Sequence, residues 1–296
     1  MLSADFELAW AWRYAKNIQN PKEEATRSAR AARNNVPRIL ALCDEYRIPI
    51  TWATVGHLFL EGCDRNGGQA HSNLGRLPFH TNKYWHFGFG DWFDDDPCTH
   101  WHNSPEWYAP DLINDILGAS TKHEIGCHTF SHIDCSENIC PANVFQDEVE
   151  ECKRAARAYG IELKSFVYPG NTIGNLDTLR TLGFNSFRND RANVLGYPRR
   201  HSNGLWELPS TAELYYRKGW SPEYHIERYK TIADRAIRSH SVAHFWFHPS
   251  CDTVVVDSII PLFFKYVAQL KEKNLLFTTT VTDYIEGFAE RIVVPE

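Results

Sequence analysis

No apolar run in this sequence approaches the ~18 residues needed to cross a bilayer as a helix, which excludes a helical membrane span. There is no basic block either. The net charge is −6 with Lys and Arg scattered, which argues against a nucleic-acid footprint. None of the 8 cysteines lies in a CxxC pair, and a chain of 296 residues needs no disulfide staples. The start, Met1-Leu2-Ser3-Ala4-Asp5, lacks the basic and apolar segments of a secretory signal. These absences predict a cytoplasmic chain with reduced thiols; Cys135 and Cys140 are the one pair close enough to bridge or to bind metal. With no repeat, low-complexity tract or linker, a single domain is expected over 1–296. What the sequence does have is imidazole and indole, with 14 His and 10 Trp, more than a plain scaffold needs.

Apolar runs of strand length alternate with helical periodicity. The pattern predicts helices over 36–46, 111–117, 144–159, 176–182, 224–239 and 258–273. It predicts strands at 48–55, 124–128, 163–168, 184–187, 205–208, 242–247 and 275–279, after an opening strand that ends at Asp5-Phe6-Glu7. Such alternation implies an α/β fold with βαβ units and a parallel sheet, and about seven units in this length point to a barrel near TIM size. Residues 61–110 break the rhythm, with Gly, Pro, Asn and Asp throughout and Tyr84, Trp85, Trp92, Trp101 and Trp107 interspersed. An insertion this long in a compact domain is usually functional. Its aromatic faces could border a binding site, although such rings also pack loops onto barrels. Asp94-Asp95-Asp96 reads as a solvated, helix-initiating turn, and His100-Trp101-His102 as a metal pattern weakened by the lack of a preceding strand.

Three places combine reactive side chains with strand ends. Asp5 and Glu7 share one face of the opening strand, because side chains alternate along a strand. His128-Thr129-Phe130-Ser131-His132 carries imidazoles at i and i+4, which one helical turn would align. Phe245-Trp246-Phe247-His248-Pro249 delivers a histidine at the end of an aromatic strand. In a parallel barrel the carboxyl ends of all strands meet on one face, so the three sets can converge. Two imidazoles and a carboxylate make a three-donor site with an open position for water, the catalytic type for zinc. A second carboxylate can take the water's proton, and a histidine opposite can protonate a leaving group. These are the parts of metal-assisted hydrolysis of an amide or ester.

The set resembles the polysaccharide deacetylases, the NodB-homology fold of carbohydrate esterase family 4. Ser3-Ala4-Asp5-Phe6-Glu7 looks like the first motif of that family, and the run from His123 to His132 like its second. Phe166-Val167-Tyr168-Pro169-Gly170 sits where the third motif forms one groove wall, and Phe247-His248-Pro249 looks like the last motif. The resemblance runs from about Leu2 to Phe288 and implies a distorted (β/α)7 barrel. It implies Asp5 as base, His248 as acid, and Glu7, His128 and His132 as ligands of one divalent metal; the residues alone leave the order of Asp5 and Glu7 open. Zinc heads the metals, with cobalt, nickel and iron tolerated by the same donors. Substrate contacts are expected from Tyr168, whose backbone amide is a candidate oxyanion donor, and from Pro169, Trp10, Trp85, Trp92 and Arg188. Trp12 is a further candidate for the groove border.

Departures from the family pattern carry their own expectations. Glu7 stands where the usual ligand is Asp, and Val167 where the third motif commonly carries an Arg that pairs with the base. Arg188 from the next strand end could supply that pairing or could form a surface ion pair. Glu207 and Asp252 are candidates to orient His248. The implied activity is removal of an N-acetyl or N-formyl group from a sugar, with water at the metal attacking the amide. A cytoplasmic location implies a nucleotide- or lipid-linked precursor of cell-surface polysaccharide, the latter with membrane association through the substrate. The alternatives are a non-sugar or cyclic amide hydrolase on the same fold, as in allantoinase-like relatives, and a catalytically silent carbohydrate-binding barrel.

Overall fold

The computed structural model describes residues 1–190 and 194–287. Phe288, where the family resemblance ends, lies outside the described residues. One sheet contains β1 (Leu2–Phe6), β2 (Thr51–Thr54), β3 (Glu124–Cys127), β4 (Ser165–Val167), β5 (Ser186–Asn189), β6 (Arg199–Arg200), β7 (Trp206–Pro209), β8 (Ala212–Glu213) and β9 (Phe245–Phe247). Their order is β6-β7-β5-β4-β3-β2-β1-β9-β8, parallel throughout except where β6 meets β7. The sheet curls into a half-barrel, and among the described residues its two end strands are not hydrogen-bonded to each other. The seven parallel strands of three residues or more match the expected distorted (β/α)7 barrel.

Around the sheet run α1 (Pro21–Tyr46), α2 (Pro110–Gly118), α3 (Ala142–Arg157), α4 (Leu176–Thr181), α5 (Pro222–Arg238) and α6 (Ile260–Glu272). Helix α1 begins at Pro21 rather than at 36. Its early buried face is Ala25, Ala29 and Ala32, continued by Val36, Ile39, Leu40 and Cys43, so small residues carry the helical stripe before large ones do. From the same helix, buried Asn35 donates to the carbonyls of Pro249 at 2.9 Å and Cys251 at 3.1 Å, fixing the turn that follows β9.

The expected strand at 275–279 pairs with no strand among the described residues. The chain instead enters a short helix, α7 (Val281–Gly287), whose first amides donate to Thr51 Oγ1 and Glu124 Oε2, each at 3.0 Å. Residues 61–110 form two small hairpins, Arg65–Asn66 with Gln69–Ala70 and His80–Thr81 with His86–Phe87, joined by turns. The solvated-turn expectation fails at Asp96, which is 1% exposed and faces inward. All eight cysteines, Cys135 and Cys140 included, are free thiols. No helix among the described residues is long and apolar enough to cross a membrane.

Strand β1 is buried along its whole length, between β2 and β9. Its carboxyl end therefore opens in the middle of the sheet, with β3 one strand further and His248 immediately after β9. The topology brings the three chemistry-bearing segments to one rim.

Candidate active site

Asp5 and Glu7 are 5% and 6% exposed, a costly setting for carboxylates without partners. Asp5 has one in Arg188, whose Nη1 donates to Oδ1 at 2.5 Å and Nη2 to Oδ2 at 2.7 Å. Far from lying at the surface, Arg188 is 3% exposed, with its guanidinium 4.7 Å over the Trp246 ring. The register explains how it reaches: Arg188 on β5 pairs with Val167 on β4, the position of the third motif. Burial pushes the Asp5 carboxyl up, but the charge and hydrogen bonds of Arg188 outweigh that and hold it below its ordinary value. Asp5 is thus ionised, as a base must be.

Glu7, not Asp5, meets the imidazoles: its Oε1 lies 3.0 Å from Nε2 of both His128 and His132. No helical turn aligns these histidines. Residues 128–132 are a loop in which Thr129 (φ 59°) and His132 (φ 60°) adopt left-handed backbone. Buried Glu148 makes that affordable by accepting from the Phe130 amide at 3.0 Å, the Ser131 amide at 2.8 Å and the Ser131 hydroxyl at 2.6 Å. His128 Nδ1 is 2.7 Å from the Val167 carbonyl. A neutral imidazole has one N–H, so donating it there leaves the Nε2 lone pair facing a carboxylate oxygen. A cation among Glu7, His128 and His132 turns that repulsion into coordination, and a carbonyl-held imidazole is the usual metal-ligand orientation. The donor set fits a divalent metal.

His248 faces this cluster from β9, its Nε2 3.8 Å from Glu7 Oε2 and its Nδ1 3.5 Å from Glu213 Oε1. Glu213 is thus the acid beside the ring. Of the two sequence candidates, Glu207 binds Asn189, Arg199 and His201, and Asp252 receives the amide of Val254. Glu213 gave no signal because it lies on a strand of two residues. Burial lowers the pKa of His248, but the carboxylates of Glu7, Glu213 and Asp5 raise it to about 10, so the ring carries its proton at neutral pH.

A cavity of about 720 Å³ opens over these groups, lined among others by Asp5, Glu7, Trp12, Trp85, His132 and His248. Trp85 reaches it from the 61–110 insertion, with its ring 5.3 Å from that of His132. Gly170 makes room for it: the backbone has φ 55°, and a Cβ there would stand 2.8 Å from the indole. Four of the expected substrate contacts are buried and do not line the cavity. Trp10 is 1% exposed and packs tilted against His57 with ring centroids 4.4 Å apart, while Trp92 is 3% exposed and donates to Ser131 Oγ at 2.9 Å. Tyr168 is buried, with its hydroxyl donating to Gly174 at 2.8 Å, and Pro169 is buried beside it. The groove wall is formed by Gly170 and Asn171, and Trp12 lines the cavity where Trp10 does not. Arg188 acts on Asp5 from below the cavity rather than lining it.

A family profile for polysaccharide deacetylases matches residues 28–184, more than half of the chain. The chain belongs to the polysaccharide deacetylase family. The matched span contains His128 and His132, whereas Asp5, Glu7 and His248 flank it. The polysaccharide deacetylase fold recurs in solved structures at low identity. A Mycobacterium smegmatis protein described as a polysaccharide deacetylase is 14% identical with a TM-score of 0.62, covering 100% of this chain and 92% of its own. Puue allantoinase is 12% identical with a TM-score of 0.63, covering 99% and 91%. A Pseudomonas aeruginosa PAO1 protein described as a polysaccharide deacetylase is 12% identical with a TM-score of 0.57, covering 99% and 85%. No curated protein sequence matches. At these identities the likeness is one of fold.

Proposed function

We propose that this polysaccharide deacetylase is a metal-dependent hydrolase that removes an N-acetyl or N-formyl group from a sugar. The observation that carries the reading is the meeting of a Glu7-His128-His132 donor set, an Arg-paired Asp5 and a protonated His248 at one cavity. A divalent ion held by Glu7, His128 and His132, zinc first, would supply Lewis acidity to water and to the amide carbonyl. Asp5, ionised and immobilised by both guanidinium contacts, takes the proton of the attacking water. His248, with Glu213 at its far nitrogen, donates to the departing amine. Trp85 and Trp12 offer faces to the ring of the sugar.

Arg228 supports the substrate class. It is the one Lys or Arg among the described cavity-lining residues, its Nη1 is buried without a hydrogen-bond partner, and its guanidinium lies 5.1 Å from the Trp220 ring. A cation so placed suits a phosphate, as on a nucleotide- or lipid-linked sugar, and such a substrate accords with a cytoplasmic enzyme of one domain over 1–296. The silent-barrel alternative rested on the missing third-motif arginine, and Arg188 fills that place.

The test is acetate release from a panel with and without chelator: free N-acetylhexosamine, its nucleotide- and lipid-linked forms, wall polymer, and a cyclic amide. Chelator-sensitive release, fastest from a phosphate-bearing sugar and slowed by Arg228→Ala, is expected. Turnover of the cyclic amide alone, or activity indifferent to metal, overturns the reading.

A further inference from the structure

A second group of donors lies behind the catalytic loop. His57 belongs to the turn after β2, Cys63 and His71 to the start of the insertion, and Asp96 to its far side. Asp96 Oδ2 lies 2.9 Å from Nε2 of both His57 and His71, and Cys63 Sγ lies 3.4 Å from Asp96 Oδ2 and 3.8 Å from His57 Nε2. All four donor atoms fall within 4.8 Å of one another. A tetrahedral zinc ion, with N and O at about 2.0–2.1 Å and S at about 2.3 Å, sets its ligand atoms about 3.3–3.6 Å apart. The observed separations of 2.9–3.8 Å bracket that spacing, so small side-chain shifts would bring the four atoms to such corners.

Hydrogen-bond valence points the same way. His57 Nδ1 is 3.1 Å from the Trp107 carbonyl, so its single proton belongs there and Nε2 turns a lone pair toward Asp96. The other oxygen of Asp96 is already engaged by the Cys98 amide at 3.0 Å and the Tyr108 hydroxyl at 3.1 Å, which aims Oδ2 at the cluster. The side chains of His57 and Asp96 are both 0% exposed. Nitrogen, oxygen and sulfur donors thus converge behind the catalytic loop, with His57 and Asp96 fully buried and Cys63 and His71 at the edge of a small surface pocket.

We propose that His57, Cys63, His71 and Asp96 bind a second divalent metal ion, zinc by the character of the donor set, in a closed structural site. Four protein donors leave no position for water, which separates this site from the three-donor one at the cavity. Its place in the fold gives it a task. The rings of His57 and His71 pack 5.5 Å and 5.1 Å from Phe130, the middle of the catalytic loop. The ion would clamp the insertion to the back of that loop.

The experiment is metal analysis by mass spectrometry on the full chain, purified from zinc-supplemented cells. Wild type should carry two equivalents of zinc, His132→Ala and Cys63→Ser one each, and the double variant none. In cobalt-loaded His132→Ala, the remaining ion should show a thiolate-to-cobalt charge-transfer band. A wild type with one equivalent that His132→Ala abolishes, or cobalt-loaded His132→Ala without the band, overturns the proposal. The cobalt measurement stands even where Cys63→Ser fails to fold, and no arm depends on acetate release.

Discussion

Two pairs of imidazoles, each sharing a carboxylate oxygen, stand on either side of Phe130, and they differ in what completes them. At Glu7, His128 and His132 the remaining directions open on a cavity shared with Asp5 and His248. At His57, His71 and Asp96 a thiol closes the set. The construction is otherwise alike: in each, one Nδ1 is held by a main-chain carbonyl, of Val167 or of Trp107. On the two proposals made above, the same fragment would serve for chemistry or for bracing according to whether a fourth protein donor is present.

Predictions follow from that contrast. His132→Ala breaks the open cluster and should lower kcat for acetate release by about 10⁴-fold or more, equivalent to ~5–6 kcal/mol of transition-state stabilisation. Its Tm should move little; near-normal kcat would remove the distinction. Asp5→Asn should cost about 10²- to 10⁴-fold in kcat while metal content, read by mass spectrometry, stays at the wild-type value. Arg188→Met leaves Asp5 buried and unpaired, and chemical denaturation should show a loss of about 3–5 kcal/mol. Asp5 then titrates higher, so the acidic limb of the pH–rate profile moves to higher pH. Cys63→Ser, in the closed cluster, should drop Tm by about 5–10 °C with kcat within about threefold of wild type. The smallest effect belongs to Glu213→Gln. His248 loses a carboxylate that raises its pKa, so the basic limb of the profile should fall by roughly one pH unit.

The strand ends that build the open cluster were legible in the sequence because a parallel sheet gathers them on one rim whatever loops intervene. The local path was not: the spacing of His128 and His132 suggests a helical turn, whereas a left-handed loop tied to Glu148 presents them. The first half of α1 escaped because alanine at 25, 29 and 32 buries a face without an apolar signal. Trp10 and Trp92 misled because an indole looks the same in sequence whether it faces a cavity or a core. The closed cluster was illegible for a different reason. Positions 57, 63, 71 and 96 follow no fixed ligand spacing, and only the folding of the insertion brings them together.

The pairing of Val167 with Arg188 across β4 and β5 has an evolutionary reading. Neighbouring strands in register offer two sequence addresses for one point in space. A guanidinium can migrate from one to the other without leaving its carboxylate. In this chain the guanidinium that pairs with Asp5 comes from Arg188, on the strand beside Val167. A tally of motifs in linear order would count such a chain as damaged, while a comparison of which atoms reach Asp5 would count it as whole.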